Sequence, residues 1–475
     1  MKQPFVLAAA VLLLLFPLGG ATEENPPAGA ARPRTLVICL DGVGYDLAVE
    51  MHRRGELRHF LPPAPLITSF PSDTNPGLTE MLAPLGAPPA RGYEDHYFDT
   101  AKNRLRGGVF HRLTRQHFIA GTYRAAFDYH PNPVRMTLEY AVPVLGPWLS
   151  GAVSVARIRD EFRKSSQPVF LAYFEASDLA AHINGDWLVR QQVRAFDRWV
   201  GELVADREHP VRVILFSDHG NDPRKMQGAE LAGALRRAGF RLGGTIKDER
   251  SVVLPQFGLV SNAVVYTAPG REPAVAEALR GARGVDFAVY RRDAALYVVG
   301  PKGTARLEAR EADGTLRLRY RAESGDPLLL ECILAELTAA GEADPEGFIS
   351  ADAWLRATAE HIYPDPLRRL WASFHGLMAQ PASVVVSLED GYYTGSWLLD
   401  AFAPLQATHG NLRRAQSRGV VLSTDQGLFL PYRGPFTGAN LLLRILASGP
   451  QAVAVPGPTL LALPVEAMAP EPLSP

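Results

Sequence analysis

Short motifs rich in Asp and His follow several apolar runs of the sequence. SDLAAH contains an Asp and a His four residues apart, SDHGN contains adjacent Asp and His, and ATHGN contains a His. An Asp in LDGVG and a Thr in FPSDTNP follow apolar runs in the same way. The side chains concerned are those of Asp41, Thr74, Asp178, His182, Asp218, His219 and His409. Three carboxylates, three imidazoles and a hydroxyl are enough to hold two zinc-like ions and to supply an oxygen nucleophile.

Each motif has an ordinary structural explanation when it is taken singly. Ser, Asp and Thr in FPSDTNP are typical helix N-cap residues, because their side-chain oxygens accept hydrogen bonds from free N–H groups. Asp178 and His182 share one face if they lie on a helix, but a surface pair has the same spacing. Gly220 after Asp218 and His219 lets the backbone turn so that both side chains can face one site. The chemistry is therefore predicted from the whole set.

Buried strands are predicted to bring these side chains together. Near-continuous apolar runs of strand length are typical of strands buried on both faces, and they are TLVICL, PLITSF, PVFLAYF, VRVILFS and SVVVSL. Helix-like segments such as residues 187–204 lie between them. This alternation predicts an α/β fold with a mostly parallel central sheet and helices on both faces. Ligands of such sheets bind at the carboxyl ends of the strands, which is where the motifs lie.

The pattern changes in the middle of the chain. ARLEARE and TLRLRYR alternate apolar and polar residues around the Asp-Gly pair at 313–314, which is a two-residue hairpin signal. Residues 241–349 are therefore predicted to form a small inserted α+β domain. Residues 35–240 and 350–463 would be the two parts of the catalytic α/β domain, and residues 464–475 a loose tail.

The N-terminus is typical of a secretory signal peptide. Lys2 precedes an apolar run at residues 5–18 and a group of small residues. The run is shorter than the roughly 20 residues that a membrane span needs, and an uncleaved anchor is the alternative. We expect residues 1–21 to be a signal peptide and residues 22–34 a flexible leader. The mature protein would be secreted or periplasmic, with no stable membrane span.

Composition bears on partners and on the redox state. The chain has 475 residues with 49 Lys+Arg against 50 Asp+Glu, so no nucleic-acid-binding surface is indicated. Cys39 and Cys332 are the only cysteines, and they lie too far apart for a thiolate metal site of the usual spacing. Both are predicted to be buried free thiols, although export would permit a disulfide. Nothing in the sequence predicts the oligomeric state.

The ordered set of motifs resembles a known superfamily. LDGVGYD, FPSDTNP, the Asp and His of SDLAAH, SDHGN and THGN occur in an order similar to that of the alkaline phosphatase superfamily. Within it, the type I nucleotide pyrophosphatase/phosphodiesterases are the most similar branch. The resemblance implies one metal ion bound by Asp178, His182 and His409. It implies a second bound by Asp41, Asp218 and His219, with Thr74 bridging to it as the nucleophile. The metal ions of such proteins are usually zinc, although Zn, Mn and Fe share these ligands.

The sequence departs from the branch at one position. Phosphodiesterases of this type have an Asn after the Thr-x-Pro turn that helps to hold a phosphoryl oxygen, and this chain has Gly77 there. Asn75 is the predicted substitute as a substrate-binding residue. The Cys/Ser-x-Pro-x-Arg motif of sulfatases is missing, which argues against a sulfatase.

The sequence thus predicts an exported, metal-dependent hydrolase of small phosphate esters. Phosphodiester or nucleotide pyrophosphate bonds would be cleaved through a phosphothreonine intermediate on Thr74, with two divalent ions as cofactors. A phosphomonoesterase or phosphotransferase of the same superfamily is the first alternative. A catalytically weak, metal-containing binding protein is the second, suggested by Gly77.

Overall fold

The computed structural model describes residues 34–108, 126–132, 145–396, 405–429 and 434–448. The predicted signal peptide, nearly all of the leader and the predicted tail lie outside these ranges. Within these ranges, no helix combines the length and the apolar character needed to cross a membrane.

The described residues form twenty strands and twelve α-helices. In chain order the strands are β1 (Arg34–Leu40), β2 (Ala64–Ile67), β3 (His96–Asp99), β4 (Arg104–Gly107), β5 (Val169–Phe174), β6 (Val211–Phe216), β7 (Gln227–Gly228), β8 (Arg241–Leu242), β9 (Ser251–Val253), β10 (Leu259–Val260), β11 (Asn262–Thr267), β12 (Val285–Arg292), β13 (Ala295–Gly300), β14 (Gly303–Ala312), β15 (Thr315–Gly325), β16 (Ile349–Ser350), β17 (Val384–Leu388), β18 (Tyr392–Gly395), β19 (Arg418–Ser423) and β20 (Phe436–Thr437). The helices are α1 (Tyr45–Arg53), α2 (Thr74–Leu82), α3 (Gly146–Lys164), α4 (Ala176–Asn184), α5 (Asp186–Ala205), α6 (Leu231–Arg237), α7 (Glu272–Leu279), α8 (Glu331–Ala339), α9 (Ala351–Thr358), α10 (Pro366–Phe374), α11 (Arg414–Ser417) and α12 (Gly438–Ala447).

A six-stranded sheet forms the first layer, in the order β20–β2–β19–β6–β1–β5. β1 pairs in parallel with both β5 and β6, and β2 pairs in parallel with β20. Only β19 is antiparallel to its neighbours in this sheet of the described chain. The predicted mostly parallel sheet is therefore confirmed.

Helices cover both faces of this sheet, as predicted. Leu36 and Ile38 of β1 belong to a core cluster that includes side chains of α3 and α5. Val37 and Cys39 lie in the cluster on the opposite face, with side chains of α2 and α12. Because alternate residues of a strand point to opposite faces, burial of both faces explains why TLVICL is continuously apolar.

A second sheet has nine strands in the order β16–β15–β14–β13–β12–β17–β11–β9–β8, and all its pairs are antiparallel except β8 with β9. β17 contains the run SVVVSL, which lies between β11 and β12 instead of in the parallel sheet. Val384 and Val386 pack in one apolar cluster and Val385 in another. The assignment of this run to the parallel sheet was therefore wrong. A strand that is buried on both faces is continuously apolar in a parallel and in an antiparallel sheet, so its sequence does not distinguish the two.

The predicted hairpin joins β14 and β15. Asp313 and Gly314 have φ angles of 53° and 69°, the left-handed values that a two-residue turn of this type requires. Buried and partly exposed residues alternate through the first half of β14, so one face of that strand is partly open to solvent. The limits 241–349 for an inserted domain stay a prediction, and β17 joins this sheet from beyond them.

The two cysteines differ in exposure. Cys39 is a buried free thiol, as predicted, whereas the free thiol of Cys332 is exposed. The prediction for Cys332 was wrong because this residue lies on the exposed side of α8, whereas Ile333, Leu334 and Leu337 face the core.

Candidate metal centre and nucleophile

The predicted side chains meet beyond the carboxyl ends of the parallel strands. Asp41 directly follows β1, and Asp218 lies two residues after β6. Asp178 lies in the first turn of α4, and Thr74 is the first residue of α2. His409 comes from the segment between β18 and α11. The structure therefore brings together residues that are more than 300 positions apart in the sequence.

One group consists of Asp41, Asp218 and His219, whose ligand atoms all lie within 4.8 Å of one another. The Nε2 atom of His219 lies 3.2 Å from Asp41 Oδ1 and 3.7 Å from Asp218 Oδ2. Thr74 Oγ1 is 3.4 Å from Asp41 Oδ1 and 3.4 Å from His219 Nε2. The hydroxyl thus points into this group.

A second group consists of Asp178, His219 and His409, with ligand atoms again within 4.8 Å. Asp178 Oδ1 is 3.5 Å from His409 Nε2, and Asp178 Oδ2 is 3.2 Å from His182 Nε2. The rings of His219 and His409 stack with centroids 3.9 Å apart, so His219 borders both groups. All seven predicted residues are adjacent, while the assignment of ligands to each ion stays a prediction.

Each of the three imidazoles has its Nδ1 atom beside a backbone carbonyl oxygen. His182 Nδ1 lies 2.9 Å from Ala407 O, and His219 Nδ1 lies 3.0 Å from Gly220 O. His409 Nδ1 lies 3.1 Å from Ser72 O. A ring nitrogen that donates its proton to an acceptor leaves the other nitrogen free to bind a metal. In all three residues the free nitrogen is therefore Nε2.

Two of the three acidic side chains, Asp41 and Asp218, are difficult to ionise in the absence of a cation. Burial, reinforced by the charge of Asp178, raises the pKa of Asp41 to about 8. Burial, reinforced by the charge of Asp41, raises the pKa of Asp218 to about 7. Burial also raises the pKa of Asp178, but His182 and His409 overcome this and hold it well below its usual range. Like charges in one buried site disfavour each other, and a bound cation would relieve this.

The histidines respond to the same environment. Burial lowers the pKa of His219. Burial also disfavours charge on His409, but the carboxylates of Asp178 and Asp73 raise its pKa to about 10. The imidazole of His409 is therefore surrounded by negative charge, which also favours a metal ion at that position.

The donor set fits divalent metal ions. The buried atoms Asp178 Oδ1 and Asp218 Oδ2 accept no hydrogen bond from any described residue. The backbone also approaches closely, because a Cβ atom on Gly42, where φ is +68°, would lie 2.7 Å from Asp178 Oδ1. Buried carboxylate oxygens without donors, together with free imidazole nitrogens, match the N and O ligands of zinc-type ions.

The position of the missing Asn is closely packed. A Cβ atom on Gly77 would lie 3.1 Å from Thr68 Oγ1 and 3.2 Å from the carbonyl oxygen of Asp218, so a larger side chain would displace its neighbours. Asn75 is buried, and its amide donates a hydrogen bond to Gly92 O at 3.3 Å. The substrate-binding role of Asn75 stays a prediction.

Three neighbours of the site were not predicted. Asp73 was interpreted as a cap, but its side chain makes no capping hydrogen bond and lies 2.9 Å from His409 Nδ1. The hydroxyl of Tyr173 donates to Asp41 Oδ2. Asn262 donates to Asp73 Oδ2. A Tyr within a buried strand needs a polar partner, which is the one sequence signal that these three residues offer.

Comparisons with known proteins give one family match and several similar structures. Residues 92–308 match the model of the family described as type I phosphodiesterase/nucleotide pyrophosphatase, which confirms the predicted resemblance. The inactive form of murine ectonucleotide pyrophosphatase/phosphodiesterase 5 in complex with AMP is 13% identical with a TM-score of 0.44, over 88% of this chain and 95% of that chain. Phosphonoacetate hydrolase from Sinorhizobium meliloti 1021 in complex with phosphonoacetate is 13% identical with a TM-score of 0.47, over 88% of this chain and 96% of that chain. A comparison with curated protein sequences finds no match.

Proposed function

On the premise that this chain is a phosphoric ester hydrolase similar to the type I phosphodiesterases, we propose that it cleaves phosphodiester or nucleotide pyrophosphate bonds of small substrates. Thr74 is the nucleophile, and Asp41, Asp178, His182, Asp218, His219 and His409 hold two divalent ions, with zinc as the expected metal. The observation that carries the proposal is the Thr74 hydroxyl, 3.4 Å from both Asp41 Oδ1 and His219 Nε2.

Bound divalent ions supply positive charge that lowers the pKa of an adjacent hydroxyl and neutralises phosphoryl oxygens. The protein orients the nucleophile. Thr74 begins α2, so its hydroxyl lies where free N–H groups and the helix dipole favour an anionic phosphoryl group. The Thr74 hydroxyl lies 3.4 Å from Asp41 Oδ1 and from His219 Nε2, the two atoms that would bind the adjacent ion, so a bound ion would lie beside the nucleophile.

The proposed reaction has two covalent steps. Thr74 Oγ1 bonds to phosphorus as the bond between phosphorus and the leaving oxygen breaks, and the leaving alcohol or phosphate takes up a proton. Water attacks the phosphothreonine in the second step, releases the phosphate product and returns the hydroxyl to Thr74. A phosphomonoesterase or phosphotransferase would use the same residues, and turnover of a diester and a monoester by one preparation separates these activities.

One observation favours the alternative of a catalytically weak binding protein. Gly77 lacks the amide that holds a phosphoryl oxygen in similar phosphodiesterases, and a side chain there would have to displace Thr68 Oγ1 or the carbonyl of Asp218. Under this alternative, the protein binds metal and phosphate esters without turnover, and Thr74→Ala leaves ligand affinity unchanged.

The decisive experiment compares the parent protein with Thr74→Ala and Thr74→Ser, each loaded with Zn²⁺, on a nitrophenyl phosphodiester. Thr74→Ala is expected to lose about 10³-fold or more in kcat, because no nucleophile remains. Thr74→Ser keeps a hydroxyl at the same position and is expected to retain measurable turnover. Mass spectrometry of the parent after rapid quenching should detect one phosphoryl group, still carrying the second ester group of the substrate, on the peptide containing Thr74.

Metal content and circular dichroism of each variant provide the controls. Turnover by a folded, metal-loaded Thr74→Ala protein at the parental rate would refute the nucleophile. Full activity after exhaustive chelation would refute the metal dependence.

We also propose that residues 1–21 direct export and are removed, which rests on the sequence pattern alone. The mass of the mature protein, purified from the medium or periplasm of its host, would test this. An intact N-terminus on that protein would refute cleavage and favour the anchor.

A further inference from the structure

His409 differs from the other two histidines because its Nδ1 atom lies beside a carboxylate as well as a backbone carbonyl. The Nδ1 atoms of His182 and His219 contact backbone carbonyls. The Nδ1 atom of His409 lies 2.9 Å from a carboxylate oxygen, Oδ1 of Asp73, as well as 3.1 Å from Ser72 O. A carboxylate behind a metal-binding imidazole fixes the tautomer and the orientation of the ring.

The side chain of Asp73 contacts His409 and Asn262 instead of capping α2. It occupies the N-cap position of α2 but its side chain accepts no hydrogen bond from the helix. Its other oxygen, Oδ2, accepts a hydrogen bond of 2.5 Å from Nδ2 of Asn262. Asp73 and Asn262 are each 3% exposed, so solvent does not compete for either contact. Oδ2 of Asp73 is therefore used by Asn262, whereas Oδ1 accepts no hydrogen bond from any described residue and lies beside His409 Nδ1 as an ion-pair contact.

Asn262 also joins the two sheets. It is the first residue of β11 in the nine-stranded sheet, and the N–H of the preceding Ser261 donates to the carbonyl of His409 at 2.6 Å. A Cβ atom on Gly410 would lie 2.4 Å from Asn262 Nδ2, so the two segments are in close contact. The start of β11 thus contacts both the backbone and, through Asp73, the ring of His409.

We infer that Asp73 is a positioning residue for His409 and that Asn262 holds Asp73 in place. The pair keeps the proton of the imidazole on Nδ1 and directs Nε2 toward Asp178 Oδ1, 3.5 Å away. The inference rests on the proposed function, because it takes His409 as a metal ligand. It gives the nine-stranded sheet a part in building the metal centre.

The test exchanges the hydrogen-bonding groups of the pair. In Asp73→Asn, the introduced amide carries no charge, and its single oxygen cannot both accept from Asn262 and face His409 Nδ1. In the double variant Asp73→Asn/Asn262→Asp, the introduced carboxylate accepts from the introduced amide, whose oxygen can again face His409 Nδ1. The exchange restores the hydrogen bond between positions 73 and 262 and the oxygen beside the ring, but not the charge at position 73.

The readout is the release of Zn²⁺ from the full chain to a chromophoric chelator. For Asp73→Asn we expect one of the two bound ions to be held about 10- to 100-fold more weakly, as is usual for loss of such a partner. The double variant should recover most of this loss. Ser72→Ala is the matched control, because the Ser72 hydroxyl contacts Asn411 O and Arg369 but not the His409 ring. It should lower the melting temperature without changing Zn²⁺ release.

The outcomes separate this inference from the proposed function. A parent protein that binds no Zn²⁺ overturns the proposed function itself. A parent that binds two ions, with Asp73→Asn releasing them at the parental rate, overturns the inference alone. Equal weakening by Ser72→Ala also overturns it, since the effect would then be general loosening. Should Asp73→Asn fail to fold, Asn262→Ala removes one hydrogen bond and is judged by the same Zn²⁺ release.

Discussion

Replacing Asp218 by Asn is expected to change stability in opposite directions with and without bound metal. The carboxylate is fully buried, and its Oδ1 accepts a hydrogen bond of 3.2 Å from the N–H of Gly42. An Asn side chain keeps an oxygen for this bond and removes the negative charge that Asp41 and burial oppose. Without metal the variant should be the more stable protein, and with metal the less stable one.

The magnitude follows from the pKa. The pKa of Asp218 is raised from its ordinary value of 3.8 to about 7, mainly by burial. One unit corresponds to about 1.4 kcal/mol, so ionisation of the folded, metal-free protein costs at most about 4 kcal/mol. The folded state keeps its proton to higher pH than the unfolded chain, so this cost is absent below about pH 4, grows between about pH 4 and pH 7, and is constant above that. The gain from Asp218→Asn should therefore be large at pH 8 and small at pH 5.

Thermal denaturation of parent and variant at both pH values, in chelator or in Zn²⁺, measures this. In chelator at pH 8 the variant should melt several degrees higher. In Zn²⁺ the parent should gain about 2.7 kcal/mol when the ion is at 100 times its Kd, and the variant should gain less. A variant that melts lower than the parent in chelator at pH 8 would refute the argument that the buried carboxylates repel one another.

Two further substitutions test the packing and the hydrogen bonding of the site. Gly77→Ala should destabilise the protein by about 1–3 kcal/mol, because the added Cβ would lie 3.2 Å from the carbonyl oxygen of Asp218. Urea denaturation measures this change. An unchanged midpoint would show that the site has room for a methyl group. Tyr173→Phe removes the donor to Asp41 Oδ2, which helps to lower the pKa of Asp41. Half-saturation with Zn²⁺ should then need a higher pH, and an unchanged pH dependence of binding would contradict the role given to this hydroxyl.

The parallel sheet and the residues at its edge could be predicted from the sequence. β1, β5 and β6 are buried on both faces, so their runs are apolar throughout and their ends are marked by the first polar residue. Since parallel strands end at one edge, Asp41 and Asp218 had to lie close together. The same reasoning could not assign β17, because an antiparallel strand covered on both faces has the same composition.

The residues that contact the candidate metal ligands could not be predicted from the sequence. Asp73 precedes a helix, as an N-cap residue does. Only the positions of His409 and Asn262 in the structure show that its carboxylate oxygens contact these two residues instead. Asn262 is 189 residues from Asp73 and follows no motif. Such contacts depend on how two sheets meet, which no local pattern of residues encodes.

The position of β19 has a consequence for synthesis of the protein. This strand, Arg418–Ser423, lies between β2 and β6 in the six-stranded sheet. A nascent chain that has passed β6 must therefore wait for some two hundred further residues before the open edges of β2 and β6 are paired. Unpaired edges invite association with other chains. Until residue 423 leaves the ribosome, the growing polypeptide is both inactive and in need of protection from aggregation.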